Sequence, residues 1–417
     1  MADYPRVAFF PDTYAEIDGV ANTSRQFEAF ARKRGLPFLT VCGGTQDSVE
    51  TDGSVTRMTR RRGPIGFALD KNHVFDFAFW RHISSVEKGL RAFNPDVIHV
   101  TGPSDVGQLG VFLAHRLRVP LAASWHTNVH EYLEQRTNPM FSFLPANLRT
   151  KIGAFFRESS LSATLRFYKI AQMLFAPNQE LMELLASRTN KPVYPMHRGV
   201  NSNLFKPRDS QSGAGARDLD CRPLTIGYVG RLTKEKNIRF LAELEDSLLD
   251  SGFSDFRFLI VGQGAEEPWL RANMDKADFT GVLSGESLAA AYASMDVFVF
   301  PSRTDTYGNV VLEALASGVP AIVTEKGGPQ FLIIPGETGF IARTPDDFVA
   351  HIRNLADNPH QLQTMREASR AYAVNASWDK IFDGVYADYA RELRNNIGWQ
   401  KSAKLSAQAT VATERLG

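Results

Sequence analysis

Short apolar runs alternate with segments of helical period along this chain, and they do so in two successive series. The first opens with Arg6–Asp12 (RVAFFPD), passes a loop ending in Asp18 and Gly19, and continues into VANTSRQFEAFARKRG. There Val20, Phe27, Phe30 and Ala31 recur on one helical face and Gly35 supplies a stop. Pro37–Gly43, Asp96–Gly102, Pro120–Thr127 and Met173–Asn178 read as further strands. The second series runs through Leu224–Leu232, Phe256–Gly264, Asp296–Ser302 and Pro320–Glu325, with helical segments between them. Such alternation predicts an α/β chain with parallel sheets covered by helices on both faces, in two doubly wound, Rossmann-like domains. No internal sequence repeat accompanies the shared architecture.

Composition refines the boundaries. A length of 417 residues exceeds one ordinary core. The stretch from Lys206 to Arg222 is rich in Ser, Gly, Asp and Arg without periodicity and reads as a connection. The expected organisation is therefore a first domain over 1–205, a linker over 206–222 and a second domain over 223–377. An amphipathic helix over 378–396 follows, with Trp378, Ile381, Val385 and Tyr389 on one face, and then a loose tail over 397–417.

Apolar content of 43%, charged content of 22% and a formal charge of +1 describe a globular chain without the basic excess of a nucleic-acid binder. Cys42 and Cys221 stand alone, outside any CxxC or Cys/His pattern, so neither a disulfide scaffold nor a zinc site is expected. MADYPRVAFFPD lacks the features of a signal peptide, and no apolar run reaches membrane-spanning length. Cytoplasmic placement is expected, with peripheral contact at the inner face of the membrane as an option.

The candidate chemistry concentrates in PSRTDTYGNVVLEALASGVP, Pro301–Pro320. A strand pattern ends there, a polar loop follows, and a helix begins with Val311, Leu312, Leu315 and Ala316 facing the core. The loop thus lies at the carboxyl end of a parallel strand, where open α/β sheets bind ligands. Amides at Thr306, Tyr307, Gly308 and Asn309 face it at the positive end of the helix dipole, a setting that favours phosphate. Gly308 lets backbone approach a ligand closely. Glu313 and Asp305 would repel an anion; as acceptors of hydroxyl hydrogen bonds they would flank it, Glu313 on a ribose diol and Asp305 on a sugar. The pattern fits a nucleotide sugar, and it equally fits a surface acid and a turn former. In YVGRLTKEKN, Gly230, Arg231 and Lys236 follow another strand, placing two cations where a diphosphate leaving group would gain charge; a solvated basic turn has the same appearance.

Taken in order and separation, these stretches resemble the retaining, nucleotide-sugar-dependent glycosyltransferases of the GT-B fold, family 4 or group 1. The likeness covers nearly the whole chain. The family's acid pair, two acids with seven residues between, matches Asp305 and Glu313, with Asp where Glu is usual. Gly230, Arg231 and Lys236 match its glycine-arginine-lysine element, Gly19 and Val20 its Gly-Val, and His126 in SWHTNVHEY its histidine. GVNSNLFKP, VGQG, FTGVL, Gly327-Gly328-Pro329, TGF and Trp378 are smaller collinear matches. The resemblance implies that Glu313 holds the ribose, that Arg231 and Lys236 hold the diphosphate, and that Val282 lies beside the base. It implies that Asp305 and His126 position the sugar, and that Gly19 lets the first domain approach the diphosphate. Asn128 and Tyr132 would meet the acceptor, and the last helix would cross back onto the first domain.

A hexose of mannose or glucose type would pass from a UDP- or GDP-sugar to a lipid or glycan hydroxyl, assisted by the departing phosphate. Cations and helix amides stabilise the departing diphosphate, so no cofactor and no essential metal are expected. Asp218-Leu219-Asp220 has the form of a metal-binding triplet but falls in the linker, and VGQG lacks the spacing of a dinucleotide loop. SWHTNVHEY is similar to the matching stretch in lipid-glycosylating mannosyl and sulfoquinovosyl branches. Arg57–Ile83 and Met140–Tyr168 mix aromatic and basic residues, as an anionic bilayer contact or as core faces with solvated rims. An epimerase of the same architecture and a non-catalytic nucleotide-sugar-binding subunit are the competing readings.

Overall fold

A computed structural model describes residues 4–16, 19–63, 66–70, 73–126, 146–208 and 222–395. They fall into two compact units: the first takes the chain to Met196 and again from Asp379, and the second takes His197–Trp378. The linker after Arg208, the tail and the acidic triplet lie outside the described residues.

The first unit carries an eight-stranded sheet. In chain order its strands are β1 (Val7–Phe10), β2 (Phe38–Gly44), β3 (Ser48–Asp52), β4 (Val55–Arg61), β7 (Val97–Val100), β8 (Leu121–Ser124), β9 (Met173–Ala176) and β10 (Val193–Pro195). A separate antiparallel hairpin joins β5 (Gly66–Asp70) to β6 (His73–Asp76). The sheet order is β10-β9-β8-β7-β1-β2-β4-β3, parallel except for the antiparallel β3–β4 pair. Sequence periodicity does not find this edge pair, because Ser48–Asp52 carries a single apolar residue, the exposed Val49. The Arg57–Ile83 stretch has core faces and exposed rims. Met58 and Phe79 are core and Arg57 is paired with Glu28, while Phe77 and Trp80 are exposed.

The helix Gly19–Arg34 buries Val20, Phe27, Phe30 and Ala31 as its period predicts. The last helix, Trp378–Asn395, packs on it: the Phe382 ring stacks on Phe27 with centroids 4.4 Å apart. Phe382 and Tyr386, fully covered, are its main anchors, while Ile381 is only half-buried. Lys33 and Arg34 pair with Asp379 and Asp383 at the rim, contacts worth little individually.

His99, on β7, lies between the rings of Phe9, Phe27 and Phe175 and bonds through Nδ1 to the Tyr389 hydroxyl of the last helix. Burial pushes its pKa down from 6.5 to about 3. The folded value lies below the unfolded one, so the unfolded chain binds the extra proton between them. Stability is full above about 6.5 and falls as pH drops toward about 3, by up to ~1.4 kcal/mol per pH unit. A His99→Gln variant should be less stable at pH 8 yet flatter in Tm between pH 7 and 5; parallel pH curves for variant and parent would refute this account.

The second unit holds β11 (Leu224–Val229), β12 (Phe256–Val261), β13 (Ala277–Gly281), β14 (Val297–Phe300), β15 (Ala321–Thr324) and β16 (Gly339–Ala342). All pair in parallel in the order β13-β12-β11-β14-β15-β16 over a core that includes Ile226, Phe258, Phe298, Leu312, Leu315 and Ile322. His197–Phe205, left with the first domain by composition, belongs here. Val200 donates its amide to Ala376 O, and the Phe205 ring meets Tyr292 edge-on at 5.6 Å. The change of composition at Lys206 comes after the apolar handover at His197. Among the described residues no helix is long and apolar enough to cross a membrane.

Candidate active site

Strands β11 and β14 are parallel neighbours, and the sheet runs outward from them in both directions. Their carboxyl ends therefore form the switch point at which successive loops diverge and leave a crevice. Two loops leave this point, Gly230–Asn237 and Pro301–Gly308, and side chains lace them together. Thr304 Oγ1 donates to Glu235 O at 3.2 Å, and Asn237 Nδ2 donates to Pro301 O at 3.4 Å. Lys236 Nζ donates to Asp305 Oδ1 at 2.5 Å. Burial alone would raise the Asp305 carboxyl, but the Lys236 charge and hydrogen bond outweigh it and hold the group below its ordinary value.

The two predicted cations differ in setting. The Lys236 side chain is 16% exposed and fixed, whereas Arg231 is 57% exposed, with Glu235 3.5 Å away. A fixed cation is already organised for a developing negative charge; an exposed one must be ordered first.

Gly308 caps the helix Asn309–Ala316 in a left-handed conformation, φ 92°, that a side chain would strain. Beneath the loop runs Gly327-Gly328-Pro329. Gly328 N donates to Asp305 O at 2.7 Å, and a Cβ on Gly328 would lie 2.0 Å from Thr306 O. The backbone thus sets the Asp305–Gly308 conformation at the positive end of the helix, where Val311 N and Leu312 N donate to Gly308 O at 2.9 and 3.4 Å. Tyr307 turns its ring inward and donates its hydroxyl to Arg198 O at 3.1 Å, so only its backbone belongs to the loop surface.

Glu313, half-buried on the same helix, accepts from Tyr292 Oη at 2.9 Å through Oε2. Burial pushes its carboxyl up to about 7 against the opposing effect of that hydrogen bond. Tyr292 lies in LAAAYASM, where its period reads as core; nothing in the sequence marks its hydroxyl as the acid's partner. Val282, at the end of β13, is 61% exposed.

The structure thus brings Gly230, Arg231, Lys236, Asp305, the Thr306–Asn309 backbone and Glu313 into one unit, on loops and a helix adjoining one pair of strand ends. Gly19 and His126 belong to the other unit. Gly19 opens its helix in an exposed position, and His126 is buried just past β8, with Nε2 2.5 Å from Ser124 Oγ. Asn128 and Tyr132 lie outside the described residues. Cys42 is buried, its thiol pushed up to about 11 by desolvation, and is chemically quiet.

A lysine and a helix N-terminus together suit a phosphate, and a carboxyl group within the next turns suits a diol. The comparisons agree with this chemistry. The profile of glycosyl transferases group 1 matches residues 223–358, and that of Glycosyltransferase Family 4 matches 17–204. A GDP-mannose-dependent alpha-mannosyltransferase of Mycobacterium tuberculosis is 34% identical over 399 residues, 92% of this chain and 96% of its own. A sulfoquinovosyl transferase of Arabidopsis thaliana is 29% identical across 89% of this chain and 71% of its own. Sucrose-phosphate synthase from Thermosynechococcus elongatus superposes with a TM-score of 0.68 at 18% identity, over 94% of this chain and 99% of that one, which fixes the fold as GT-B. Across both of its units, this chain belongs to the family 4, group 1 glycosyltransferases.

Proposed function

We propose that this glycosyltransferase moves a mannosyl residue from GDP-mannose to a lipid or glycan hydroxyl, with retention of anomeric configuration and without an essential divalent ion. The observation that carries the donor assignment is the 34% identity, spread over 92% of the chain, to an enzyme named for GDP-mannose. The site supports a nucleoside diphosphate of this kind. In this reading Lys236 and the Thr306–Asn309 amides take the diphosphate as charge gathers on the leaving oxygen. Arg231 adds a second, adjustable cation at the rim. Glu313 accepts the ribose hydroxyls, and Val282 offers an exposed apolar contact to the base. The family likeness assigns Gly19 to the diphosphate, His126 to the sugar, and Asn128 and Tyr132 to the acceptor.

Retention is carried over from the family likeness, and the way the two acids are engaged bears on the route by which it would be reached. Asp305 is tied to Lys236 and Glu313 to Tyr292, so each is held as a binding group and neither is prepared as a covalent nucleophile. Same-face attack helped by the departing phosphate then remains. Contact with an anionic bilayer belongs to the same reading. Trp80 and Phe112, exposed and edge-on at 5.3 Å, sit near exposed Phe77, Arg81 and Arg116, an aromatic and basic mixture suited to a lipid interface.

The deciding experiment is calorimetric titration with GDP-mannose, UDP-glucose and ADP-glucose, followed by product analysis with acceptors in anionic vesicles or as free glycans. GDP-mannose should bind at least 10-fold more tightly than the others, ~1.4 kcal/mol. The mannosyl product should form with EDTA present and carry the α linkage. Preference for another donor refutes the donor assignment, and an inverted product refutes the mechanism.

A further inference from the structure

Glu313 contributes one of its two carboxyl oxygens to the protein. Oε2 accepts from Tyr292 at 2.9 Å, and among the described residues no hydrogen bond reaches Oε1. Tyr292 itself has no freedom. It is fully buried on the helix Gly285–Ala293, with its ring edge-on to Phe205 at 5.6 Å and tilted against Phe298 at 5.8 Å. A hydroxyl fixed in this way sets the carboxyl plane of its partner, because a carboxylate accepts best in the plane of its two oxygens.

We propose that Tyr292 is a positioning residue for the donor: by holding Glu313 Oε2 it presents Oε1 to the nucleotide's ribose diol. The proposal rests on the donor reading given above. Its electrostatic consequence follows from the surroundings of the acid. The elements packed near the helix Asn309–Ala316 bear Tyr292, Tyr228 on β11, Lys236 and Asp305 in the two loops, and Arg366, Arg370 and Tyr372 on the helix Pro359–Asn375. Arg370 is engaged by the carbonyls of Phe205, Ala316 and Ser202, Arg366 by Asp296, and Lys236 by Asp305. Tyr292 alone among them donates to Glu313. It is therefore the group that offsets the burial raising this carboxyl to about 7. Removing the hydroxyl must raise the carboxyl further, and a protonated acid is a poorer acceptor for a diol.

The test is Tyr292→Phe, which keeps the ring and its packing. KM for GDP-mannose should rise about 3- to 10-fold at pH 7 with kcat nearly unchanged. The pH at which GDP affinity reaches half its high-pH value should move upward by roughly half a unit or more. In a Glu313→Gln background the Phe substitution should change neither quantity further, since the group it acts through is gone. An unshifted pH midpoint, or the same loss in both backgrounds, would overturn the role of Tyr292 while leaving the donor site intact. Failure of the unaltered chain to bind GDP would instead overturn the donor reading, and this role with it.

Discussion

Replacing Lys236 by methionine should lower kcat/KM for GDP-mannose by roughly 100- to 1,000-fold, about 2.7–4 kcal/mol, the usual effect of removing one preorganised partner of a departing charge. The corresponding Arg231→Met loss should be smaller, because Arg231 is mostly solvated and Lys236 is held against Asp305 at 2.5 Å. The same change leaves Asp305 without its cation, so that burial is no longer outweighed and raises its carboxyl. Part of the single-variant effect is then the cost of an orphaned acid. A Lys236→Met, Asp305→Asn double variant separates the two: thermal stability should return and turnover should not. Recovery of turnover in the double variant, or a Lys236→Met enzyme within 3-fold of the parent, would show that the lysine does not act on the diphosphate.

The second large effect is expected at Gly328, a residue with no ligand role of its own. A Cβ there meets Thr306 O at 2.0 Å and Thr306 C at 2.2 Å. Both are backbone atoms that cannot swing aside. Gly328→Ala must displace the loop that carries Asp305 and opens onto the amides of the Asn309–Ala316 helix. Overpacking of this kind costs about 1–3 kcal/mol, and a displacement near 1 Å at a transfer site costs roughly 100-fold in rate. Gly384→Ala is the matched control, since nothing lies within 4 Å of the added carbon on that helical residue. Thermal melts and kcat/KM measured on both variants decide the matter. A Gly328→Ala enzyme indistinguishable from Gly384→Ala would mean that the loop has room the backbone distances deny.

Much of the architecture is legible in the chain because buried parallel strands must be apolar along their length. Leu224–Val229, Val297–Phe300 and Ala321–Thr324 announce themselves in this way. Ser48–Asp52 does not, since an exposed edge strand needs no apolar stripe. The candidate site can be named from the sequence only as single residues: Lys236, Asp305, Gly308 and Glu313 each stand in a recognisable local context. Their partnerships cannot be named in this way. Lys236 meets Asp305 across 69 positions and Tyr292 meets Glu313 across 21, separations set by strand order and helix packing. Gly328 appeared only within a short match, because the need for a missing side chain exists only once Thr306 has been brought against it.

The return of the chain to its first unit at Asp379 has a temporal meaning. During synthesis the groove bounded by Phe27 and His99 is finished long before Phe382 and Tyr389 leave the ribosome to fill it. At about 5–20 residues per second the delay after Met196 is roughly 10–40 s. The second unit is whole as Trp378 emerges, so the half of the molecule that begins first is the half that closes last.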